Sequence, residues 1–145
     1  MRIAAASDML SGIATVLVAE LERRGHVVRA LGALDPGDRA DWAWAGEAAA
    51  RDVSRGAADQ AVVCCWTGTG AAIAANKVPG VRAALCADAA TAAGARKWND
   101  ANVLAISLRT TSEAELGEIL DAWFATAASD DPSDVANVEH VDAIS

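Results

Sequence analysis

Apolar residues along the chain follow two patterns, short continuous runs and longer runs with helical spacing. The continuous runs predict five strands, at residues 2–6, 27–31, 60–65, 81–86 and 102–107. Between them, apolar residues recur every three or four positions, which predicts helices. In the first of these, Ile13, Leu17 and Leu21 share one face before Gly25 ends the pattern. Strands that alternate with helices over short connections indicate a parallel sheet covered on both sides.

The remaining helices are predicted from the same spacing and from residues that start or stop helices. We expect the second helix at about 41–54 and a short third helix from the end of the glycine-containing turn to about residue 77. The fourth is expected at about 88–97 and the fifth after residue 112. Asp41 or a neighbour is a candidate N-cap for the second helix. The segment Ser112-Glu113-Ala114-Glu115 has the form of a capped helix start. The helix that follows carries Leu116, Ile119, Leu120 and Trp123 on one face, so Trp123 is expected in the core.

Five strands and five helices in alternation predict an α/β fold, a three-layer α/β/α sandwich around a five-stranded parallel sheet. The third run, residues 60–65, is continuously apolar, which is typical of a strand buried on both faces. Residues 1–128 form one predicted domain. The tail, residues 129–145, is acidic and weakly patterned, so we expect it either to pack on another surface or to stay mobile.

The composition of the chain argues against several broad classes of protein. The chain has 145 residues, 53% of them hydrophobic, with 12 Lys and Arg against 20 Asp and Glu and a net charge of -8. It is too short for two ordinary domains, too apolar for a disordered chain and too acidic to coat nucleic acid. Its apolar runs are too short to span a membrane, and its first residues do not have the form of a signal peptide. We therefore expect a cytoplasmic protein without a nucleic-acid or membrane partner.

Cysteine and histidine positions argue against metal and disulfide chemistry. Cys64, Cys65 and Cys86 are odd in number and two are adjacent, which fits neither a disulfide framework nor a common zinc spacing. His26 and His140 each stand alone. We predict a reducing compartment, no metal site and no cofactor.

The most informative candidate site is the turn that follows the third strand. In such folds ligands bind beyond the carboxyl ends of the strands, where Asp8, residues 65–70, Asp88 and residues 107–109 lie. The segment Trp66-Thr67-Gly68-Thr69-Gly70 leads into a helix and predicts exposed N–H groups that bind an anion. A tight turn also needs glycine for steric reasons alone. The segment matches neither a Walker loop nor a dinucleotide fingerprint, so no nucleotide is indicated.

Several side chains near this edge have both a chemical and a structural interpretation. Cys65 precedes the N–H groups, which would stabilise a thiolate that acts as base or nucleophile, but free cysteines are often small buried hydrophobes. Asp8 could contact a substrate hydroxyl or cap the next helix. Arg109 is a candidate cation or a solvated surface residue. Trp66 and Trp98 occupy positions where a pocket wall is expected.

Three sequence blocks resemble the ribose-5-phosphate isomerase B and galactose-6-phosphate isomerase family. They are Cys65 to Gly70, Ile73 to Cys86 and Asn99 to Leu104, and the resemblance extends more loosely along the chain. It implies a Rossmann-like sandwich, a homodimer or homotetramer with active sites at the subunit interface, and cofactor-free aldose-ketose isomerisation of a small sugar phosphate through a cis-enediolate. The tail would then pack on a partner subunit.

The resemblance also implies roles for individual residues. Cys65 falls on the position of the family's base, and Asp8 and Thr67 match residues that handle substrate hydroxyls and ring opening. The amides of Gly68, Thr69 and Gly70, together with Asn99, fall on positions that stabilise the enediolate. The remaining substrate-binding candidates are Trp42, Trp66, Trp98, Arg109, Asn137 and His140.

Departures from the family pattern suggest an unusual substrate. The family's ring-opening histidine falls on Trp98, a second histidine falls on Met9, and the glycine after the base is Trp66. Indole cannot exchange a proton with a sugar hydroxyl. An open-chain tetrose 4-phosphate such as erythrulose 4-phosphate needs no ring opening, because its C4 oxygen is blocked. A non-phosphorylated or otherwise modified sugar is also left open as the substrate. The rival prediction from a different class is a non-catalytic or partner-dependent subunit, or a sugar-binding protein, on the same fold.

Overall fold

The computed structural model describes residues 1–144. Its strands are β1 (Arg2–Ser7), β2 (Val27–Gly32), β3 (Gln60–Cys65), β4 (Ala83–Leu85) and β5 (Val103–Ser107). Its helices are α1 (Ala14–Arg23), α2 (Trp42–Ser54), α3 (Thr69–Asn76), α4 (Ala89–Asn99), α5 (Glu113–Ala125) and α6 (Pro132–Ile144). The five strands form one parallel sheet in the order β2-β1-β3-β5-β4, which confirms the predicted fold class.

The two faces of the sheet have different packing. One face packs on α1, α4 and α5 through large side chains such as Leu17, Leu104 and Trp123. The other face packs on α2 and α3 almost entirely through alanines and valines. Small side chains let these two helices lie close together, and a Cβ added at Gly46 would be 3.2 Å from the Ala71 carbonyl oxygen. This close approach fixes α2 against the N-terminal half of α3, where the candidate site lies.

Strand order changes direction between β1 and β3. From β1 the chain passes through α1 to β2 on one side, and then returns through α2 to β3 on the other side. The ends of β1 and β3 are adjacent, since Ser7 pairs with Cys64 in the ladder. A crevice forms at such a switch point. The fold therefore brings Asp8 and Cys65 to the same crevice.

One predicted boundary is wrong, that of the fourth strand. The predicted strand 81–86 is reduced to three residues, because the Val81 N–H closes a turn onto the Val78 carbonyl oxygen and the Arg82 N–H is bound by the Asn102 side chain. Asp88 is the N-cap of α4 and accepts from the Thr91 N–H at 2.7 Å.

Helix starts are confirmed in one case and corrected in two. Ser112 and Glu115 form the capping box that the sequence predicts. Asp41 is at the N-cap of α2 but its carboxylate bonds to Arg39 instead of to the helix. Asp8 does not cap α1, because that helix begins six residues later.

The tail forms a sixth helix. None of the described residues of α6 is buried, so the helix lies on the surface of the domain. Its attachment includes a two-oxygen ion pair from the Arg82 guanidinium to Asp142, with N–O distances of 2.9 and 3.0 Å. Over residues 1–144, no helix combines the length and the apolar character needed to cross a membrane.

Candidate active site

The turn from Cys65 to Gly70 is built around Gly68. Strand β3 ends at Cys65, and α3 begins at Thr69. Gly68 adopts φ +76°, which side chains rarely tolerate. A Cβ at this position would lie 2.9 Å from the Ile106 carbonyl carbon and from the Ser107 nitrogen. Glycine is therefore required both by its backbone conformation and by the contact with the end of β5.

The N–H groups at this turn divide into two sets. The Gly68 N–H donates to the Cys65 carbonyl oxygen at 3.2 Å, which corrects the expectation that this amide faces a ligand. Thr69 and Gly70 begin α3, and within residues 1–144 their N–H groups have no hydrogen-bond partner, as expected for the first turn of a helix. The N-terminus of α3 thus offers donors and a positive dipole end to an anion.

A cleft of about 260 Å³ lies at this end of the sheet. Its lining residues are Asp8, Trp42, Cys65, Trp66, Thr67, Thr69 and Gly70. Cys65 is almost completely buried, whereas the indoles of Trp42 and Trp66 are about half exposed. The Trp42 indole lies so close to Gly70 that a Cβ there would be 2.9 Å from a ring carbon. The cleft therefore has a thiol at one wall, two indole faces and the N-terminus of α3.

Hydroxyl groups complete the mouth of the cleft. The Thr67 and Thr69 side-chain oxygens share a hydrogen bond of 2.7 Å, and both residues are exposed. A hydroxyl pair of this kind can donate to, or accept from, a sugar hydroxyl. Seven residues predicted as site residues thus share one cleft, although the sequence alone gave no distances between them.

Asp8 presents a carboxylate oxygen that has no partner. Its Oδ1 is inaccessible to water and accepts no hydrogen bond from residues 1–144. Burial raises the pKa of Asp8 above its ordinary value, and the Asp8 backbone N–H partly opposes this effect. A carboxyl group that holds its proton more tightly is a better proton acceptor, and it can pass that proton to a neighbouring oxygen.

The raised pKa of Asp8 predicts a pH-dependent stability difference. A folded state that binds the Asp8 proton more tightly is favoured at low pH and loses that advantage as the pH rises through the raised pKa. Asp8→Asn removes this loss, so its Tm should rise relative to wild type between about pH 4 and about pH 7. Calorimetry at both pH values measures the difference.

Asp88→Asn is the control of opposite sign. The Thr91 N–H lowers the pKa of Asp88, so its contribution to stability is present above the ordinary aspartate pKa and lost below it. The Tm of this variant should therefore fall relative to wild type as the pH rises to about 4, and should change little between about pH 4 and about pH 7. Parallel trends in the two variants would contradict the assignment for Asp8.

Five other predicted site residues lie outside the cleft of this chain. Trp98 and Asn99 end α4 and line a separate pocket beneath α6. Asn137 lines that same pocket from α6, and His140 is exposed on the same helix. Arg109 follows β5 and is exposed. The structure therefore gathers the candidate base, the Thr69 and Gly70 amides and two indoles in one cleft, but not the enediolate candidate Asn99 or the other substrate-binding candidates.

The other two cysteines are unsuited to chemistry at the cleft. Cys64 packs on the opposite face of the sheet from Cys65, as its place in the strand predicts, and burial raises its pKa. Burial also raises the pKa of Cys86 to about 11. Among residues 1–144, no three His, Cys, Asp or Glu side chains cluster to hold a metal ion.

One buried polar residue at the cleft edge lies in the predicted ligand-binding region but had no role of its own in the prediction. Ser107 ends β5, and its Oγ donates to the Trp66 carbonyl oxygen at 3.0 Å. A serine at the carboxyl end of a strand, two residues before Arg109, was the signal available in the sequence. Only the pairing of β5 with β3 shows which carbonyl the hydroxyl reaches.

Together, the sheet and the cleft define an α/β protein with a cleft at the switch point, beside a buried thiol. Residues 3–141 match the sequence profile of the family described as Ribose/Galactose Isomerase. The chain belongs to this family, and the predicted family is confirmed.

Individual relatives carry related names. The galactose-6-phosphate isomerase subunit LacB of Clostridium acetobutylicum is 40% identical over 103 residues, which are 71% of this chain and 59% of that protein. D-erythrulose-4-phosphate isomerase of Pectobacterium atrosepticum is 40% identical over 74 residues, 51% of this chain and 49% of that protein. 4-deoxy-4-sulfo-D-erythrose isomerase of Clostridium sp. (strain MSTE9) is 37% identical over 93 residues, 64% and 58% respectively. The chain thus spans about half to three-fifths of the length of these relatives.

A solved structure matches over nearly the whole chain. The type B ribose 5-phosphate isomerase of Trypanosoma brucei superimposes with a TM-score of 0.90 at 36% identity, covering 99% of this chain and 98% of that one. These relatives are all named isomerases. The prediction of an isomerase is therefore confirmed at the level of the family.

Proposed function

We propose that this chain is an aldose-ketose isomerase for an open-chain four-carbon sugar with an anionic group at C4, and that Cys65 is its base. The observation that carries this proposal is the position of the Cys65 thiol, in the wall of a cleft beside the unpaired N–H groups that begin α3. Enolisation needs a base at the carbon and hydrogen-bond donors at the oxygen. The cleft offers both at one point.

The proposed reaction rearranges the atoms and electrons of a single sugar and needs no second reactant. The Cys65 thiolate takes a proton from C1 of the ketose, the C–H electron pair forms the C1–C2 double bond, and the carbonyl pair moves to O2. The N–H groups of Thr69 and Gly70 stabilise the negative oxygen. Asp8 carries a proton from O1 to O2, and Cys65 delivers to C2 either the proton it took or one exchanged with solvent. The product is the aldose, and no electrons leave the sugar.

The residues around the cleft support a substrate that does not form a ring. A tetrose substituted at C4 has no free C4 hydroxyl, so it cannot close a furanose. No histidine lines the described cleft, and the position of the family's ring-opening histidine is occupied by Trp98, which lies outside the cleft. Two relatives are named for four-carbon sugars, one with a phosphate and one with a sulfonate at C4. The proposed anionic group is therefore a phosphate or a sulfonate.

A second copy of the chain would complete the site. The described cleft has no Lys, Arg or His among its lining residues, whereas an anionic group at C4 requires a cation or several donors. An open groove between β4 and α4 exposes Leu85 and Trp98, which are 41% and 54% accessible. We infer that a partner chain covers this groove, so that Trp98 and Asn99 of one copy reach the cleft of the other.

The alternative is a subunit that needs a different partner chain. One similar protein, LacB, is named as a subunit of galactose-6-phosphate isomerase. The separation of Trp98 and Asn99 from the cleft of their own chain favours either kind of assembly. Activity of the purified chain alone distinguishes a homodimer from a heteromeric enzyme.

Proton NMR in D2O tests the proposed function without a coupling enzyme. The panel contains erythrulose 4-phosphate, 4-deoxy-4-sulfo-erythrose, ribose 5-phosphate, allose 6-phosphate and erythrulose. We expect isomerisation, and deuterium at the carbon beside the carbonyl, with a preference for the two anionic tetroses. Light scattering on the same sample should give twice the chain mass or a higher even multiple.

Two outcomes would contradict the proposal. Preferred turnover of ribose 5-phosphate would show that the cleft opens a ring without a histidine. Absence of exchange on every substrate, from a sample that is already dimeric, would favour the partner-dependent or sugar-binding alternative.

A further inference from the structure

Ser107 joins two loops at the edge of the cleft. Its Oγ donates to the Trp66 carbonyl oxygen at 3.0 Å and accepts from the Thr110 N–H at 3.3 Å. The residue is 9% exposed, so water competes little for these bonds. The hydroxyl therefore links the turn that follows β3 to the turn that follows β5.

The end of β5 supports the cleft turn at several points. The Leu108 N–H donates to the Cys65 carbonyl oxygen at 3.0 Å, and the Arg109 N–H donates to the Trp66 carbonyl oxygen at 2.9 Å. Among residues 1–144, only the Ser107 side chain donates a hydrogen bond to either of these two carbonyl oxygens. Gly68 packs directly on the Ser107 backbone nitrogen. The orientation of the turn thus depends on this strand end.

We propose that Ser107 is a positioning residue for the isomerisation. Its hydroxyl fixes the plane of the Trp66 peptide, and with it the direction of the Cys65 thiol and of the Thr69 and Gly70 N–H groups. The same hydroxyl ties this turn to the segment that carries Arg109. Ser107 does not line the cleft, so its effect acts through Cys65 and the amides. The part of the proposal that concerns turnover rests on the proposed function.

Loss of the hydroxyl should loosen the turn without unfolding the domain. In Ser107→Ala the Trp66 carbonyl keeps its bond from Arg109, and the Cys65 carbonyl keeps its bonds from Gly68 and Leu108. The Thr110 N–H loses its acceptor. Small misplacements of reacting groups lower the chemical step more than they lower binding.

Steady-state kinetics on the tetrose substrate test the positioning role. We expect Ser107→Ala to lower kcat roughly tenfold, with KM within about twofold of wild type. Ser107→Thr keeps the hydroxyl and should recover most of kcat. Ser54→Ala is the matched control, because the Ser54 hydroxyl donates to the Pro79 carbonyl oxygen at 2.8 Å far from the cleft. Its kcat should match wild type.

Alkylation of Cys65 by iodoacetamide gives a readout that needs no substrate. The rate, followed by peptide mass spectrometry on the folded protein, should rise at least about threefold in Ser107→Ala and stay at the wild-type value in Ser54→Ala. If wild type isomerises nothing, the proposed function fails while this rate still tests the position of Cys65. Equal rates and equal kcat in Ser107→Ala and wild type would overturn the positioning role, and so would a kcat that Ser107→Thr fails to recover.

Discussion

Replacement of Cys65 by serine is expected to abolish deuterium exchange at the substrate carbon beside the carbonyl, with kcat reduced at least ~10³-fold. The hydroxyl has almost the same shape as the thiol but a far higher pKa, so it is a very weak base. Cys65 lies in the cleft wall and is only 4% exposed, and serine should fit there without displacing the turn. The far-UV circular dichroism of the variant should match wild type.

Cys86→Ser is the matched control for this experiment. Cys86 is also almost fully buried, and its Sγ faces the Ala84 carbonyl oxygen, to which a serine hydroxyl can donate. This variant should retain exchange at a rate close to that of wild type. Comparable exchange in Cys65→Ser and wild type would remove Cys65 from the role of base.

Gly68→Ala is expected to destabilise the fold by about 2–4 kcal/mol and to lower kcat/KM at least ~100-fold. The added Cβ would lie 2.5 Å from the Leu85 Cδ1 and 2.9 Å from backbone atoms of Ile106 and Ser107. Leucine can rotate away, but the strand backbone cannot. The turn must therefore lift from β5, which displaces Cys65 and the N–H groups that begin α3.

Gly80→Ala separates backbone strain from this clash. Gly80 has nearly the same dihedral angle, φ +79°, but a Cβ there meets nothing within 4 Å. Its cost is limited to the left-handed conformation, about 1 kcal/mol. Urea denaturation measures both variants, and an equal loss of stability in the two would show that the contact with β5 is unimportant.

Local patterns were sufficient for most of the fold. The alternation of runs predicted all five strands and the parallel sheet, and the capping box at Ser112 predicted the start of α5. The short β4 was overestimated, because the side chain that binds the Arg82 N–H belongs to Asn102, twenty residues away. Sequence periodicity carries no information about such a distant partner.

The helix in the tail was missed although signals for it were present. Pro132 begins α6, and the Asp131 carboxylate accepts from the Ser133 N–H at 2.9 Å, as a capping aspartate does. Its apolar residues do not form a buried stripe, and none of the described residues of α6 is buried. A surface helix of this kind lacks the amphipathic pattern from which helices are recognised.

The sequence by itself determined which segments become strands and helices, and that a thiol and a glycine turn stand at the end of a buried strand. These properties depend on neighbours within a few residues. The tertiary structure alone decided that Asp8 reaches the Cys65 cleft, that the Gly68 amide is used within the turn, and that Trp98 and Asn99 lie elsewhere. Each of these depends on strand order and register, which bring together groups far apart in the chain, and so does the choice of hydrogen-bond partner.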